Sequence, residues 1–185
     1  MDFQLVLQAI RDIVVTTAAA TGAFVALRGL KTWRHQLRAS TELDVARPVL
    51  RAAYRIREAV DHVRDPLLSI SETERALYTK RWEPMIEAIS DFRAAAWEAE
   101  VLWGKSFLDS VSDLKNCIKE LSINLAMYLP YADMADRTGE QEQYREHYRT
   151  TVQHQGDTDV FKPKLGRAIE KVESYLRPKI ELAQI

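Results

Sequence analysis

Two arginine–histidine pairs carry the most chemistry that this sequence offers: Arg57 with His62 in REAVDH, and Arg149 with His154 in RTTVQH. An imidazole can act as general acid or base on a ribose hydroxyl and a leaving oxygen, while a guanidinium holds the phosphate and its developing charge. Such a pair, brought against a second copy of itself, would cut RNA. The elements that must position the two pairs differ. Arg57 and His62 fall within one helical stretch, about 140° apart by the 3.6-residue period, and do not converge within one chain. Arg149 and His154 lie where a helix should end, just before Gly156, so the ring can turn back or project from a loop. Arg149 with His154 is therefore the first catalytic candidate, and Arg57 with His62 the second.

A metal centre is weaker on the same arithmetic. His147 and His154, taken with Asp157 or Asp159, stand two helical turns apart, and a 1.5 Å rise per residue separates the rings by about 10 Å. There is also no glycine-rich phosphate loop, no zinc spacing and no nucleophile elbow. The expectation is no metal and no cofactor. A basic stripe is better formed: Arg47, Arg51 and Arg55 recur every four residues on one helix and could face lipid headgroups or a phosphate backbone. Glu58 and Asp61 are the counter-charges of the alternative, a solvated face. The sole cysteine, Cys117, borders an apolar stripe and reads as a small buried hydrophobe.

The elements beneath these residues read as helices throughout. With six glycines, no hairpin signal and no strand alternation, a sheet has little to be built from. Val45, Val49, Ala52, Ile56, Ala59, Val60 and Val63 mark one buried helical face over 41–64, with Pro48 kinking that helix or sitting in its first turn. Asp65-Pro66 should end it, and Ser71 followed by Glu72 and Glu74 should open the next. Leu77, Trp82, Met85, Ile86, Ile89, Phe92, Ala96, Trp97, Val101 and Trp103 give the second stripe, closed by Gly104 at the C′ position. Phe107, Val111, Leu114, Ile118, Leu121, Leu125 and Tyr128 form the most regular seam, which Pro130 should stop. Leu165, Ile169, Val172 and Leu176 give another line, interrupted at Pro178. Between about 130 and 160 apolar residues thin to a solvated helix pinned by Tyr144, Tyr148 and Val152. The expected architecture is all-α: an antiparallel bundle of about four helices over 41–185, with a polar insertion at 130–160.

The first forty residues differ. From Ile13 to Leu27 the chain runs fifteen residues without a charge. Arg28, Lys31, Arg34 and Arg38 follow, with Trp33 among them, the pattern of a basic and aromatic flank at a membrane interface. This predicts a short N-terminal transmembrane helix and basic juxtamembrane segment over 1–40, in a bacterial inner membrane, N-terminus outside and bundle cytoplasmic. Membrane lipid is the first expected partner. Ala18 with Gly22, and Ala19 with Ala23, place small residues four apart, which lets helix backbones approach closely and points to a homo-oligomer. Beyond this, 185 residues suffice for one domain plus an anchor, and 26 basic against 27 acidic residues, net charge −1, exclude a global pull toward nucleic acid.

The apolar run, the segment LKTWRHQL and the arginine-four-histidine spacing together resemble bacterial single-pass proteins with a helical cytoplasmic domain. More narrowly, the layout is similar to the HEPN-motif membrane accessory proteins of type VI-B CRISPR loci. That resemblance implies a homo-oligomeric membrane pore acting in antiviral defence beside an RNA-guided nuclease, with Arg149 and His154, or Arg57 and His62, in the motif positions. HEPN motifs place Asn, Asp or His after the arginine; here Glu58 and Thr150 follow. Three functions are thus expected in order: an oligomeric membrane effector or scaffold, a HEPN-like ribonuclease, and a passive anchor for a partner protein.

Overall fold

The computed structural model describes residues 3–65, 73–134 and 138–181, apart from the side chains of 3–15, 18, 19 and 35. Every regular element among these residues is helical: α1 (Phe3–Arg64), α2 (Glu74–Trp103), α3 (Lys105–Ala132), α4 (Gly139–Val152), a short 3₁₀ turn (Gly156–Thr158) and α5 (Phe161–Glu181). The chain divides into two compact units, Met1–Thr41 and Glu42–Ile185.

In the second unit, the residues of α1 from Glu42 onward, together with α2, α3 and α5, make an up-down-up-down bundle, which the cross-helix pairs establish. Arg55 pairs with Asp91 and Arg81 donates to the Asp65 carbonyl, so α1 and α2 run antiparallel. Tyr78 meets Tyr128 edge-on at 5.7 Å across the α2–α3 hairpin. Lys171 pairs with Asp113 at 2.8 Å and Lys164 with Glu120, setting α5 antiparallel to α3. The core is apolar and closely filled by Val49, Ile56, Val60, Val63, Met85, Phe107, Leu114, Leu121, Val172 and Leu176. Helices of this length owe their stability mainly to that packing, because propensity alone leaves an isolated helix marginal in water.

Helix α4 is the fifth member, contributed by the polar insertion. It folds back along α3, with Tyr144 stacked on Tyr131 at 6.4 Å, and buries Val152. Thr138 and Gln141 form a reciprocal capping box at its start: the Thr138 hydroxyl accepts from the Gln141 amide while the Gln141 side chain accepts from the Thr138 amide. Gly104 joins α2 to α3 at φ 61° and ψ −140°, a conformation that a Cβ makes costly and that suits glycine alone.

Several boundaries depart from the sequence expectation. Helix α1 passes through Pro48 rather than starting near residue 41, because a proline removes one helical hydrogen bond and the flanking buried residues Ala46 and Val49 still pack. Pro130 and Pro178 likewise sit inside the last turns of α3 and α5. Thr73, not Ser71, caps α2, its hydroxyl accepting from the Ala76 amide at 3.3 Å; Ser71 lies outside the described residues. On α2 the buried face is Leu77, Tyr78, Arg81, Met85, Ala88, Phe92, Ala96 and Ala99, while the expected core residues Ile86, Trp97 and Val101 are exposed.

The N-terminal expectation meets a dimensional limit. Among the described residues no helix is long and apolar enough to cross a membrane. The uncharged run of 13–27 rises only about 22 Å as a helix, against a hydrocarbon core of about 30 Å, and Arg11, Asp12 and Arg28 bracket it. The outward N-terminus expected from the basic flank requires a crossing for which that run lacks the length.

Candidate functional site

Three places in the molecule combine chemistry with accessibility or burial: a polar network inside the bundle, an apolar groove between α2 and α3, and the exposed apolar side chains of residues 24–37.

The polar network begins at Arg64, the last residue of α1, 2% exposed and paired with Asp159, 8% exposed. Its Nη2 donates to Asp159 Oδ1 at 3.0 Å and to the Gln153 carbonyl at 3.0 Å, and its Nε donates to the Thr151 carbonyl at 2.8 Å. The guanidinium also lies over the Phe161 ring at 4.9 Å. Asp159 in turn accepts from the Phe161 and Lys162 amides at 3.0 Å each, capping the start of α5. Burial alone would push the Asp159 carboxyl up, but the Arg64 hydrogen bond, the Lys162 amide, the Arg64 charge and the Gln155 amide outweigh it and hold its pKa below the ordinary value.

Gln153 continues the network into the bundle. Its side-chain amide donates to Glu74 Oε1 at 3.1 Å and to the Tyr128 hydroxyl at 3.3 Å, and Tyr128 itself donates to Glu74. Arg145 closes the group on Glu74 Oε2 at 3.4 Å. Burial, then the hydrogen bond to Glu74 and its charge, push the Tyr128 pKa up, so the phenol stays protonated as a donor. All five α-helices thus meet through one connected set of polar groups, in which the buried Nε of Arg145 is the atom left without a hydrogen bond. That pattern is structural: it fixes the register of α4 and α5 against the rest of the bundle.

The expected catalytic residues lie at the margin of this network. Arg149 pairs with Glu146 at 2.8 Å, one turn back on α4. His154 accepts from the Gly156 amide through Nδ1 at 3.0 Å, its Nε2 stands 3.9 Å from Asp159 Oδ2, and its backbone amide donates to the Arg64 carbonyl at 3.2 Å. Each side chain thus has a local partner, and His154 helps close the end of α1. Arg57 lies over the Tyr54 ring at 4.9 Å, and His62 lines a separate shallow cleft with Pro84 and Glu87. His147 stands edge-on to Tyr148. Cys117 is fully buried, and burial raises its thiol pKa, which disfavours the thiolate.

Of the arginine stripe, Arg47 and Arg51 are exposed and Arg55 is engaged by Asp91. Arg51 lines a cleft between α1 and α2 together with Asp91 and Glu98, so carboxylates of α2 supply the anions nearest the stripe. At the N-terminus, Arg28, Lys31, Trp33, Arg34 and Arg38 are all exposed, as are Gly22 and Ala23. A Cβ at Gly22 would meet nothing within 4 Å. The side chains of Ala18 and Ala19 lie outside the described residues.

Sequence reasoning did not anticipate the groove, although its signal was present in the surplus of apolar residues on α2. Ile89, Phe92, Ala96, Trp97 and Ile118 line a cleft of about 570 Å³ whose rim carries Arg93, Lys115 and Lys119. Compared with known proteins, the chain matches no family model, no curated protein and no solved structure.

Proposed function

We propose that this protein is a non-enzymatic scaffold held at a membrane by residues 13–38, with the helical bundle recruiting a partner beside the bilayer. The observation that carries the reading is the run of large apolar side chains left in the open on α1. Phe24 is 61% exposed, Leu27 69% and Trp33 57%, with Val25, Leu30 and Leu37 also exposed. A soluble chain rarely leaves so many large apolar side chains in the open over so short a stretch.

The distribution of charge suits lipid as their cover. On a helix advancing roughly 100° per residue, Ala26, Leu30, Trp33 and Leu37 share one narrow side, while Phe24 and Leu27 fall among Arg28, Lys31, Arg34 and Arg38, with the Arg28 guanidinium 6.0 Å from the Phe24 ring. Apolar groups can enter the acyl region while the basic stems reach back to phosphate, and the tryptophan takes the headgroup level. The uncharged residues from Ile13 to Leu27 extend the apolar contact. Self-association belongs to the same proposal, through the small side chains at Ala18, Ala19, Gly22 and Ala23, where helices in lipid can approach closely.

The ribonuclease reading has less support, because Arg149 pairs with Glu146 on its own helix and His154 accepts from the Gly156 amide, so the two are not brought to one site. Fractionation of cells lysed without detergent tests the proposal. The full-length chain is expected in the high-speed pellet, resistant to a high-salt wash and released by detergent. Recovery of the chain in the supernatant refutes it.

A further inference from the structure

We infer that the groove between α2 and α3 is a docking site for an acidic amphipathic helix of a partner protein. The inference rests on the reading of the bundle as a recruiting module, and it does not depend on lipid as the environment of the N-terminal helix.

The shape comes first. The α2–α3 hairpin leaves a cleft of about 570 Å³ floored by Phe92 and Ala96, both buried, and walled by Ile89, Trp97 and Ile118. The apolar surface continues along α2 beyond the cleft: Ile86 is 58%, Trp97 63% and Val101 90% exposed. From Ile86 to Val101 the row extends roughly 22 Å by the helical rise, the length of about four turns of a bound helix. Grooves of this kind accept one apolar helical face at i, i+3, i+4 and i+7 positions, and a tryptophan with a neighbouring arginine is the residue combination that dominates such interfaces.

The charge then selects the occupant. Arg93, Lys115 and Lys119 rim the cleft, and among the described residues no carboxylate lines it. Three other cations of the bundle surface are matched across helices, Arg55 by Asp91, Lys164 by Glu120 and Lys171 by Asp113. None of the three rim cations makes an ion pair or hydrogen bond among the described residues. An occupant that is apolar on one face and acidic at its edges answers both features. A second copy of this chain does not, because its exposed apolar helix carries Arg28, Lys31, Arg34 and Arg38 toward an already basic rim. A flat bilayer does not either: the buried floor at Phe92 lies within a concavity that a convex helix can enter and a planar surface cannot.

The test uses the full-length chain in detergent micelles, which makes its outcome independent of any membrane. Two labelled synthetic helices serve as probes, identical in their leucine face and carrying either glutamate or lysine at the flanking positions, and binding is followed by fluorescence anisotropy. The glutamate peptide is expected to bind saturably and the lysine peptide not to. Arg93→Glu combined with Lys115→Glu and Lys119→Glu should weaken the glutamate peptide at least tenfold, and so should Trp97→Ala. All of these are surface changes, and unaltered circular dichroism and thermal unfolding verify the fold. Equal binding of both peptides, no saturable binding of the glutamate peptide, or variants that bind like the parent would overturn the inference. Displacement of the peptide by phosphatidylglycerol micelles would overturn it too, assigning the surface to lipid. A pelleted chain that ignores the peptide leaves the membrane reading standing and removes only this one.

Discussion

Replacing Asp159 with alanine is expected to lower the unfolding free energy by about 3–5 kcal/mol, the cost of breaking a buried ion pair by removing one partner. The substitution strands Arg64, 2% exposed, with a charge whose remaining partners are the carbonyls of Thr151 and Gln153. It also uncaps α5, since the Phe161 and Lys162 amides lose their acceptor. Urea denaturation followed by circular dichroism checks this, with a lower midpoint at an unchanged slope. Asp159→Asn keeps an acceptor for the amides and should fall between the parent and the alanine variant. The same pair sets an acid limit. Because the folded-state pKa of Asp159 is depressed, its contribution is fully present above the unfolded carboxyl value near ~3.9 and is lost as pH falls through the folded value. The parent should therefore lose stability below about pH 4 more steeply than Asp159→Ala, which has no such contribution left to lose.

The second large effect concerns the membrane. Changing Leu27, Leu30 and Trp33 together to serine is expected to reduce binding to vesicles containing phosphatidylglycerol at least a hundredfold in a flotation assay. Full burial of one such side chain is worth about 1.5–3 kcal/mol. Partial burial of three at an interface then amounts to roughly 3–5 kcal/mol, where 1.4 kcal/mol is tenfold. Arg28, Lys31, Arg34 and Arg38 remain, so a variant that still floats, and is released by salt, would show that attachment is electrostatic and that the apolar face has another purpose. None of the three residues belongs to the bundle core, so the variant should unfold at the parental temperature.

What the sequence reveals of this fold depends on whether burial follows a single period. On helix α3 the line of Phe107, Val111, Leu114, Ile118, Leu121, Leu125 and Tyr128 could be placed inside from spacing alone, and all are buried but Ile118, which is half-buried and lines the groove. The same holds for Leu165, Ile169, Val172 and Leu176 on α5. Helix α2 is apolar on two adjoining sides, and spacing cannot choose between them. The side that packs carries Ala88, Ala96 and Ala99, which allow close approach, whereas Ile86, Trp97 and Val101 lie roughly 100° or more around from Met85 and stay outside.

The polar network was harder to read for a different reason. Arg64 and Asp159 are 95 residues apart, and a single sequence holds no record of which distant charges meet. Only local signals existed: a basic residue in the last turn of α1 and an aspartate two residues before α5, both consistent with simple capping. The Thr138–Gln141 capping box was legible in principle, since a threonine three residues before a glutamine is the expected pattern. The arginine–histidine spacing, by contrast, was visible in the sequence, and Arg149, His154 and Arg57 each have a nearer partner in the fold.

The central claim is that lipid surrounds the exposed apolar side chains of α1, and a spin label at position 24 tests it most directly. Phe24→Cys is labelled with a nitroxide in a Cys117→Ala background, and the full-length chain is placed in phosphatidylglycerol-containing bilayers. Collision with molecular oxygen, which concentrates in acyl chains, is compared with collision with a water-soluble nickel chelate. The account predicts high oxygen accessibility and low nickel accessibility. High nickel accessibility would place the residue in water, and low values for both would place it against protein; either result contradicts the claim.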